Sequence, residues 1–424
     1  MAISKSTLKT IIREFHEAPA RIYIPRTIDS KKYMETKSVI VFTGPRRSGK
    51  TTFMIQMMDE FLKNGYEKEQ FIYINFEDER LIGFNPSDFA LLEESYYELY
   101  PHKKPVFFLD EVHTIDKWWL FVRRLNEARF TVFVTGSNSK LLSKEYVTHI
   151  AGRVLEVPIL PFSFFEYVIA KQGSVTSESI FSKARHEFSS IQKDFLEWGS
   201  FPEVALSEAS LRREILSSYI KTVIFRDISS RFKIVNNRAL ELLLGKLSAT
   251  TGNPISYRSI AASLGEVNEN IPHKTVIEYL NHYESAFVLF SLSKHYKSAL
   301  KREFEKKWYF VDTGYLNLFF PSPDSARALE TQVFLELIKT NQQVYYLKNG
   351  GEIDFFVTGK EKQAIQVTFE LNANNKEREI TPLRKLDASF KKIIVTNDQQ
   401  ESHGDIEVIP FWKFALIPWL KMKL

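Results

Sequence analysis

Residues 44–51 constrain the fold of this chain more than any other segment. They read Gly-Pro-Arg-Arg-Ser-Gly-Lys-Thr, follow an apolar run at 38–43 and precede a helical pattern at 51–64. Gly44 and Gly49 permit backbone angles that other residues disfavour, so successive N–H groups can turn inward around an anion. The helix that follows adds the positive end of its dipole. The segment therefore predicts a strand, an anion-binding loop and a helix, in that order.

The same segment fits the P-loop pattern G-x-x-x-x-G-K-[ST], which binds nucleoside phosphates when it joins a strand to a helix. We expect Lys50 to reach the β- and γ-phosphates, the Thr51 hydroxyl to ligate Mg²⁺, and Thr52 to lie beside the α-phosphate. Arg46 and Arg47 can assist from the same chain. The remaining predicted loop residues are Gly44, Pro45, Ser48 and Gly49. The alternative interpretation is a glycine turn with an incidental lysine.

A second candidate motif ends in two carboxylates. Four apolar residues at 106–109 are followed by Asp110 and Glu111, about sixty residues after the loop. In the functional interpretation Asp110 holds Mg²⁺ through water, and Glu111 orients and deprotonates the attacking water. Glu111 directly after Asp110 favours hydrolysis over phosphate transfer to a small molecule. Taken alone, the pattern also fits solvated carboxylates at a strand end.

Two further groups are candidates for contact with the γ-phosphate. A third apolar run ends in Thr-Gly-Ser-Asn at 135–138, and a polar side chain there is expected between the acidic strand and the loop strand. Ser137 is the first choice and Asn138 the second, although a polar turn explains them equally simply. Arg153 can neutralise transition-state charge on a neighbouring subunit's nucleotide. A surface salt bridge is the alternative for Arg153.

The N-terminal part of the chain alternates apolar runs with helical patterns. The predicted strands are 38–43, 71–75, 105–110, 130–135 and 154–157, and the predicted helices between them are 51–64, 86–99 and 117–128. Continuous apolar strands alternating with helices indicate a parallel sheet that is covered on both faces. The fold class predicted here is therefore α/β, with a P-loop NTPase domain.

The pattern changes after Pro161, and it predicts three further regions. Residues 162–250 are almost entirely helical, 255–312 read helix, turn, helix and two strands, and 325–424 return to mixed α/β. The predicted organisation is an N-terminal helix and arm (1–36), a P-loop core (37–165), a helical lid (166–250), a winged helix-turn-helix (251–312) and a restriction-endonuclease-like α/β domain (313–424).

The predicted winged helix suggests a contact with DNA. Its second helix offers His273, Lys274, Thr275, Glu278, Asn281 and His282, and its wing offers Lys294, Lys297, Lys301 and Arg302. Basic residues should dominate a DNA-facing helix, and the glutamates here offset them. A wing that only packs against the P-loop core or a partner protein is the alternative.

The C-terminal region has some of the residues of a metal-dependent nuclease. Glu330 lies on a predicted helix, Asp354 on a predicted strand, and Gln366 and Thr368 on the next strand. The active form of this arrangement needs Glu and Lys at the last two positions. Since Gln366 and Thr368 carry no charge, we predict an inactive scaffold that serves DNA binding or assembly.

Composition narrows the classes of protein and of functional site that remain possible for this chain. Fifty-seven basic and 52 acidic residues give a net charge of +5, so any nucleic-acid contact must be local. The absence of cysteine excludes disulfides, thiolate metal sites and cysteine nucleophiles. No apolar stretch reaches the length of a membrane span, and the N-terminus lacks the apolar core of a signal peptide. These features predict a cytoplasmic protein with no membrane partner.

Several segments together resemble a prokaryotic group of AAA+-type ATPases with a C-terminal domain of unknown function. The resemblance is carried by GPRRSGKT, FLDE, VTGSNS and AGRVLEVPILPFSFFEY, and it continues through GSFPE, YIKTVIFRD and EIDF, so it covers nearly the whole chain. It implies an ATP-dependent motor or switch that is often a homo-oligomer, with ATP in preference to GTP.

The function predicted from the sequence is Mg²⁺-dependent ATP hydrolysis that drives a conformational change, with DNA as a candidate partner. A nucleotide-gated DNA-binding switch with slow turnover is the first alternative. An ATPase-coupled nuclease is the second.

Overall fold

The computed structural model describes residues 3–136, 152–175, 185–296, 306–340, 342–348, 351–359 and 361–423. The chain divides into two compact units, an N-terminal unit of residues 1–160 and a C-terminal unit of residues 161–424. Across these ranges, no helix combines the length and the apolar character that crossing a membrane requires.

The N-terminal unit alternates strands and helices as the sequence predicts. Its strands are β1 (Val39–Thr43), β2 (Phe71–Asn75), β3 (Val106–Asp110), β4 (Thr131–Thr135) and β5 (Val154–Pro158). Its helices are α1 (Lys5–Glu17), α2 (Lys31–Met34), α3 (Lys50–Lys63), α4 (Asp88–Leu99) and α5 (Trp118–Glu127). Single 3₁₀ turns lie at Lys68–Gln70, Glu79–Leu81 and Val112–Thr114.

The five strands form one parallel sheet in the order β2-β3-β4-β1-β5. Successive residues of a strand face opposite sides, and both sides are buried here. Val41 joins a core cluster with Trp118 of α5, whereas Phe42 joins a second cluster with Phe53 of α3. The prediction of a parallel sheet covered on both faces is confirmed. The order also places the end of β4 between the ends of β1 and β3.

The segment predicted as an extended arm, 17–36, packs against α3. It contains the short helix α2, which the sequence did not indicate. The Tyr23 hydroxyl donates to Asp59 Oδ2 at 2.6 Å, and Gln56 accepts a hydrogen bond from the backbone of Arg26. The arm is therefore a fixed part of the N-terminal unit.

The C-terminal unit begins with helices and ends with a sheet. Its helices are α6 (Phe164–Gln172), α7 (Arg185–Trp198), α8 (Pro202–Leu206), α9 (Ala209–Thr222), α10 (Ser230–Phe232), α11 (Asn237–Thr250), α12 (Tyr257–Gly265), α13 (His273–Ser285), α14 (Thr313–Asn317), α15 (Ser325–Lys339), α16 (Lys376–Arg384) and α17 (Phe411–Lys423), with a π-helical segment at Val223–Ser229. Its strands are β6 (Leu289–Ser293), β7 (Lys306–Phe310), β8 (Gln343–Lys348), β9 (Glu352–Thr358), β10 (Gln363–Val367), β11 (Lys391–Thr396), β12 (Glu401–His403) and β13 (Ile406–Pro410).

A buried carboxylate organises the middle of this unit. Asp312 accepts hydrogen bonds from Ser200 N at 2.6 Å and from Gly314 N at 2.8 Å, so it joins the turn before α8 to the start of α14. A Cβ at Gly199 would lie 1.7 Å from Asp312 Oδ1, which explains the glycine there. Burial raises the pKa of the Asp312 carboxyl to about 6.

The winged-helix prediction rests on the order of α12, α13, β6 and β7. Ser256 caps α12 by accepting from Ser259 N, and β6 pairs with β7 in antiparallel register, with Leu289 opposite Phe310. The four elements occur in the predicted order. Their assignment as a DNA-binding winged helix remains a prediction.

The C-terminal sheet has the strand order β12-β13-β11-β10-β9-β8. Three sequence predictions differ from it. Strand β10 ends at Val367, so Thr368 lies outside the strand where it was expected. The sequence pattern predicts a helix over residues 376–390, whereas helix α16 ends at Arg384. Strand β12 and helix α17 were not predicted.

Candidate functional site

The loop at residues 44–51 has the backbone geometry of an anion cradle. Gly44 and Gly49 have φ angles of 136° and 95°, and Arg47 has a φ angle of 65°. Residues in this left-handed region, alternating with ordinary ones, turn N–H groups toward one side of a loop. A Cβ at Gly44 would lie 2.2 Å from the carbonyl oxygen of Ile159, so only glycine fits at that position.

Lys50 is the first residue of α3, and its side chain lies across the loop. It is only 5% exposed, and its Nζ donates to the carbonyl oxygens of Gly44 at 3.1 Å and Pro45 at 2.9 Å. The helix begins after Gly49, which has no capping side chain, so the first N–H groups of α3 are available to an anion. The Lys50 ammonium and the N-terminus of α3 therefore both lie at this loop.

Asp110 at the end of β3 connects the loop to the sheet. It is 1% exposed, and its Oδ2 accepts hydrogen bonds from Thr51 Oγ1 at 2.8 Å and from the Tyr73 hydroxyl at 3.0 Å. Its Oδ1 accepts from the Thr135 hydroxyl at the end of β4. Burial, with the Asp110 charge adding to it, raises the pKa of Tyr73, so the Tyr73 hydroxyl stays protonated and acts as a donor.

Glu111 follows in the left-handed region, with a φ angle of 51°. Its backbone N–H donates to Thr135 Oγ1 at 2.9 Å, and one of its carboxylate oxygens lies 3.2 Å from His113 Nδ1. Burial raises the pKa of the Glu111 carboxyl, and the nearby charge of Lys50 opposes that shift. A buried carboxylate with a raised pKa is a more effective proton acceptor than an exposed one.

The other predicted site residues have more varied positions. Arg46 Nη1 lies 3.8 Å from Glu77 Oε1, and Arg47 and Thr52 are exposed. Arg153 is exposed, and its carbonyl oxygen accepts from Val39 N at 2.9 Å. Ser137 and Asn138 lie outside the described residues, as do Lys297, Lys301 and Arg302 of the predicted wing.

Three residues near the loop were missed by sequence reasoning. Tyr73 and Thr135 both bind Asp110, and Arg26 donates to the carbonyl oxygen of Ser48. Thr135 could have been found, because it ends the strand predicted to lie next to Asp110. Tyr73 and Arg26 left no comparable signal, since neither belongs to a spaced motif.

On the predicted DNA-facing helix α13, the side chains of Lys274, Glu278 and Asn281 are exposed. His282 instead stacks on Phe232, with the ring centroids 3.6 Å apart. Lys274 and Glu278 therefore carry opposite charges on the exposed part of α13. The DNA contact stays a prediction.

In the C-terminal unit, Lys307 of β7 lies among the carboxylates that the sequence assigned to a nuclease-like site. Its Nζ is 2.8 Å from Glu352 Oε1, 3.6 Å from Asp354 Oδ1 and 3.8 Å from Glu330 Oε1. Burial alone would lower the pKa of Lys307, but the three carboxylates outweigh it, and the pKa is raised. Burial also raises the pKa of Glu330 and of Asp354. The Lys307 ammonium therefore offsets part of the negative charge of this cluster.

Gln366 does not complete a metal site. Its amide nitrogen donates to Glu379 Oε2 at 2.7 Å, and Asp354 Oδ2 accepts from Val367 N at 2.9 Å. Within the ranges that the structure describes, no group of three or more His, Asp or Glu side chains is arranged to hold a metal ion. The inactivity of this scaffold stays a prediction.

We expect Lys307→Met to destabilise the C-terminal unit strongly. Removing the ammonium leaves the partly buried carboxylates of Glu330, Glu352 and Asp354 close together without a cation between them, which costs about 3 kcal/mol. In a unit of this size that loss lowers the melting temperature by about 6–12 °C. Differential scanning calorimetry measures the shift, with Lys348→Met as the control, because Lys348 pairs with Glu352 at the surface. Equal shifts in both variants would contradict a central role for Lys307.

The parallel sheet, the loop at 44–51 and the acidic end of β3 define the N-terminal unit as an α/β P-loop NTPase domain. The sequence profile of the AAA domain matches residues 36–168, and that of a domain of unknown function (DUF8612) matches residues 190–324. Among solved structures, the Walker-type ATPase PABY2304 of Pyrococcus abyssi is similar at 11% identity with a TM-score of 0.42, over 75% of this chain and 96% of that one.

Two relatives match nearly the whole chain. The uncharacterized protein MJ1544 of Methanocaldococcus jannaschii is 36% identical over 405 residues, which span 91% of this chain and 89% of that protein. An uncharacterized protein of Haemophilus influenzae is 30% identical over 92% of this chain and 96% of its own length. The chain therefore belongs to the same family as these proteins. Within it, residues 36–168 match the AAA domain.

Proposed function

We propose that this protein binds ATP and hydrolyses it to ADP and phosphate with the help of Mg²⁺. The observation that carries the proposal is the 2.8 Å hydrogen bond between Thr51 of the loop and Asp110 of β3. Through this bond the last residue of the loop, Thr51, lies beside the acidic end of β3. The match of residues 36–168 to the AAA domain supports the same activity.

The residues beside the loop suit a magnesium ion. The Thr51 hydroxyl and the Asp110 carboxylate are both oxygen donors, which Mg²⁺ prefers, and they already face each other. Thr51 and Asp110 are therefore the residues that would hold the ion, which supplies charge neutralisation on the phosphates. Thr135 and Tyr73 donate to Asp110 and fix the orientation of its carboxylate.

Lys50 and Glu111 have separate roles in the proposal. The Lys50 ammonium leaves the carbonyl oxygens of Gly44 and Pro45 to bind the outer phosphates, together with the loop amides and the N-terminus of α3. Glu111 accepts a proton from the attacking water, and its backbone is fixed by Thr135. Arg46, Arg47, Ser137, Asn138 and Arg153 remain predicted contacts of the γ-phosphate, with Arg153 acting in a homo-oligomer.

Phosphate release from ATP tests the proposal. We expect steady turnover with MgCl₂ and its loss when EDTA is in excess over Mg²⁺, with recovery when Mg²⁺ is restored. Turnover that persists in EDTA would contradict the role of Thr51 and Asp110 as ion-holding residues.

The same assay with duplex DNA compares the two modes of action. Strong stimulation by DNA favours a motor that acts on DNA. Slow turnover that DNA leaves unchanged, together with ATP-dependent DNA binding, favours the nucleotide-gated switch. The coupled nuclease receives no support from the cluster around Lys307, because the ammonium lies among the carboxylates that would have to bind a metal ion.

A further inference from the structure

Arg26, a buried arginine of the N-terminal arm, donates a hydrogen bond to the loop at residues 44–51. Arg26 is 9% exposed, and its Nη1 donates to the carbonyl oxygen of Ser48 at 2.9 Å. Its Nη2 donates to the carbonyl oxygen of Leu160 at 2.6 Å, two residues after β5 ends. One guanidinium therefore connects the loop to the residues that follow the edge strand of the sheet.

The position of Arg26 is fixed independently of the loop. Gln56 of α3 accepts from Arg26 N at 2.8 Å and donates to the Arg26 carbonyl oxygen at 3.3 Å. Three residues earlier, the Tyr23 hydroxyl donates to Asp59 on the same helix. Because both anchors lie on α3, the helix that begins with Lys50, the guanidinium keeps its place relative to the phosphate site.

The contact with Ser48 also determines the orientation of the next amide. A trans peptide is planar, and its C=O and N–H bonds point in opposite directions. The hydrogen bond from Arg26 fixes the Ser48 carbonyl toward the guanidinium, so the N–H of Gly49 points away from it. Gly49 has a φ angle of 95°, a conformation that allows this peptide to turn with little steric cost.

We propose that Arg26 is a positioning residue of the nucleotide site, which holds the Ser48–Gly49 peptide so that the Gly49 amide faces the bound phosphates. This inference rests on the proposed function and adds to it a residue outside the motif. Without the guanidinium the peptide can rotate, and one donor of the cradle is no longer set in place before the phosphates arrive. Preorganised donors are worth more to an anion than donors that must reorient on binding.

Calorimetric titration of the full chain with ATP and Mg²⁺ tests this role. We expect Arg26→Ala to bind ATP about tenfold more weakly, because a charge-assisted hydrogen bond is lost along with the orientation of the peptide. Arg26→Lys should be intermediate, since lysine keeps the charge but carries its donors on a single nitrogen and lacks the planar fork that holds the Ser48 and Leu160 carbonyl groups. Arg13→Ala, which removes an exposed arginine of α1, is the matched control and should bind like wild type.

Chemical rescue separates positioning from a general loss of structure. Millimolar guanidinium chloride should restore most of the ATP affinity of Arg26→Ala, whereas NaCl at equal ionic strength should not, and neither salt should change wild type. If Arg26→Ala fails to fold, the comparison of Arg26→Lys with wild type decides. Folded variants that bind ATP within twofold of wild type would overturn the inference. A wild-type chain that binds no ATP would instead refute the proposed function, and this inference with it.

Discussion

Replacing Lys50 with alanine should abolish ATP binding and, with it, phosphate release. Lys50 is 5% exposed, and its ammonium already lies within hydrogen-bond distance of two loop carbonyl groups. From this position beside the loop, the ammonium can turn to the outer phosphates of a bound nucleotide. Losing the charge-assisted hydrogen bonds of this group should weaken ATP binding by a factor of about 100 or more. Calorimetry with ATP and Mg²⁺ measures the loss directly.

The matched control for this variant is Lys63→Ala. Lys63 is at the opposite end of the same helix, where it pairs with Glu60 at the surface. Its removal should leave ATP affinity unchanged. An unaltered affinity in Lys50→Ala would refute the assignment of the loop.

Replacing Glu111 with glutamine should stop hydrolysis and leave ATP binding nearly unchanged. The amide keeps the size of the side chain but cannot accept a proton, so kcat should fall by about 100-fold or more. Rapid-quench measurement of one turnover separates the chemical step from product release. Glu127→Gln, at an exposed position on α5, is the control.

Continued turnover in Glu111→Gln would mean that another group accepts the proton from water. A loss of ATP affinity equal to the loss of kcat would indicate that Glu111 supports the loop and does not act on water.

Apart from the short helix α2, the strands and α-helices of the N-terminal unit could be predicted from the sequence to within about two residues, because local patterns specify them. The apolar run before Gly44 and the carboxylates after Leu109 mark strand ends by composition alone. The position of β4 between β1 and β3 is confirmed by the sheet order.

Contacts between distant residues left no such pattern. Arg26 is 22 residues from Ser48 and 134 from Leu160, and nothing in the arm distinguishes it from a surface arginine. Lys307 belongs to the hairpin β6–β7, yet its partners lie on α15 and β9. The sequence singled out Gln366 on β10, but the cation that contacts Glu330 and Asp354 comes from a different element.

Helix α17 was missed for another reason. Its sequence contains Pro418, which is disfavoured in the interior of a helix. Packing overrides that local preference, because Phe411 and Leu416 are buried completely in the C-terminal unit. Local propensity is outweighed where an apolar segment can be fully removed from water.

The cluster around Lys307 has a consequence for how this family diverges. The Lys307 ammonium lies close to three acids, Glu330 on α15 and Glu352 and Asp354 on β9, so exchanging one member alone changes the charge balance of the whole cluster. Changes at positions 307, 330, 352 and 354 should therefore be inherited jointly. In a relative without a lysine at position 307, we expect neutral residues at the acidic positions, or a bound cation among the acids that remain.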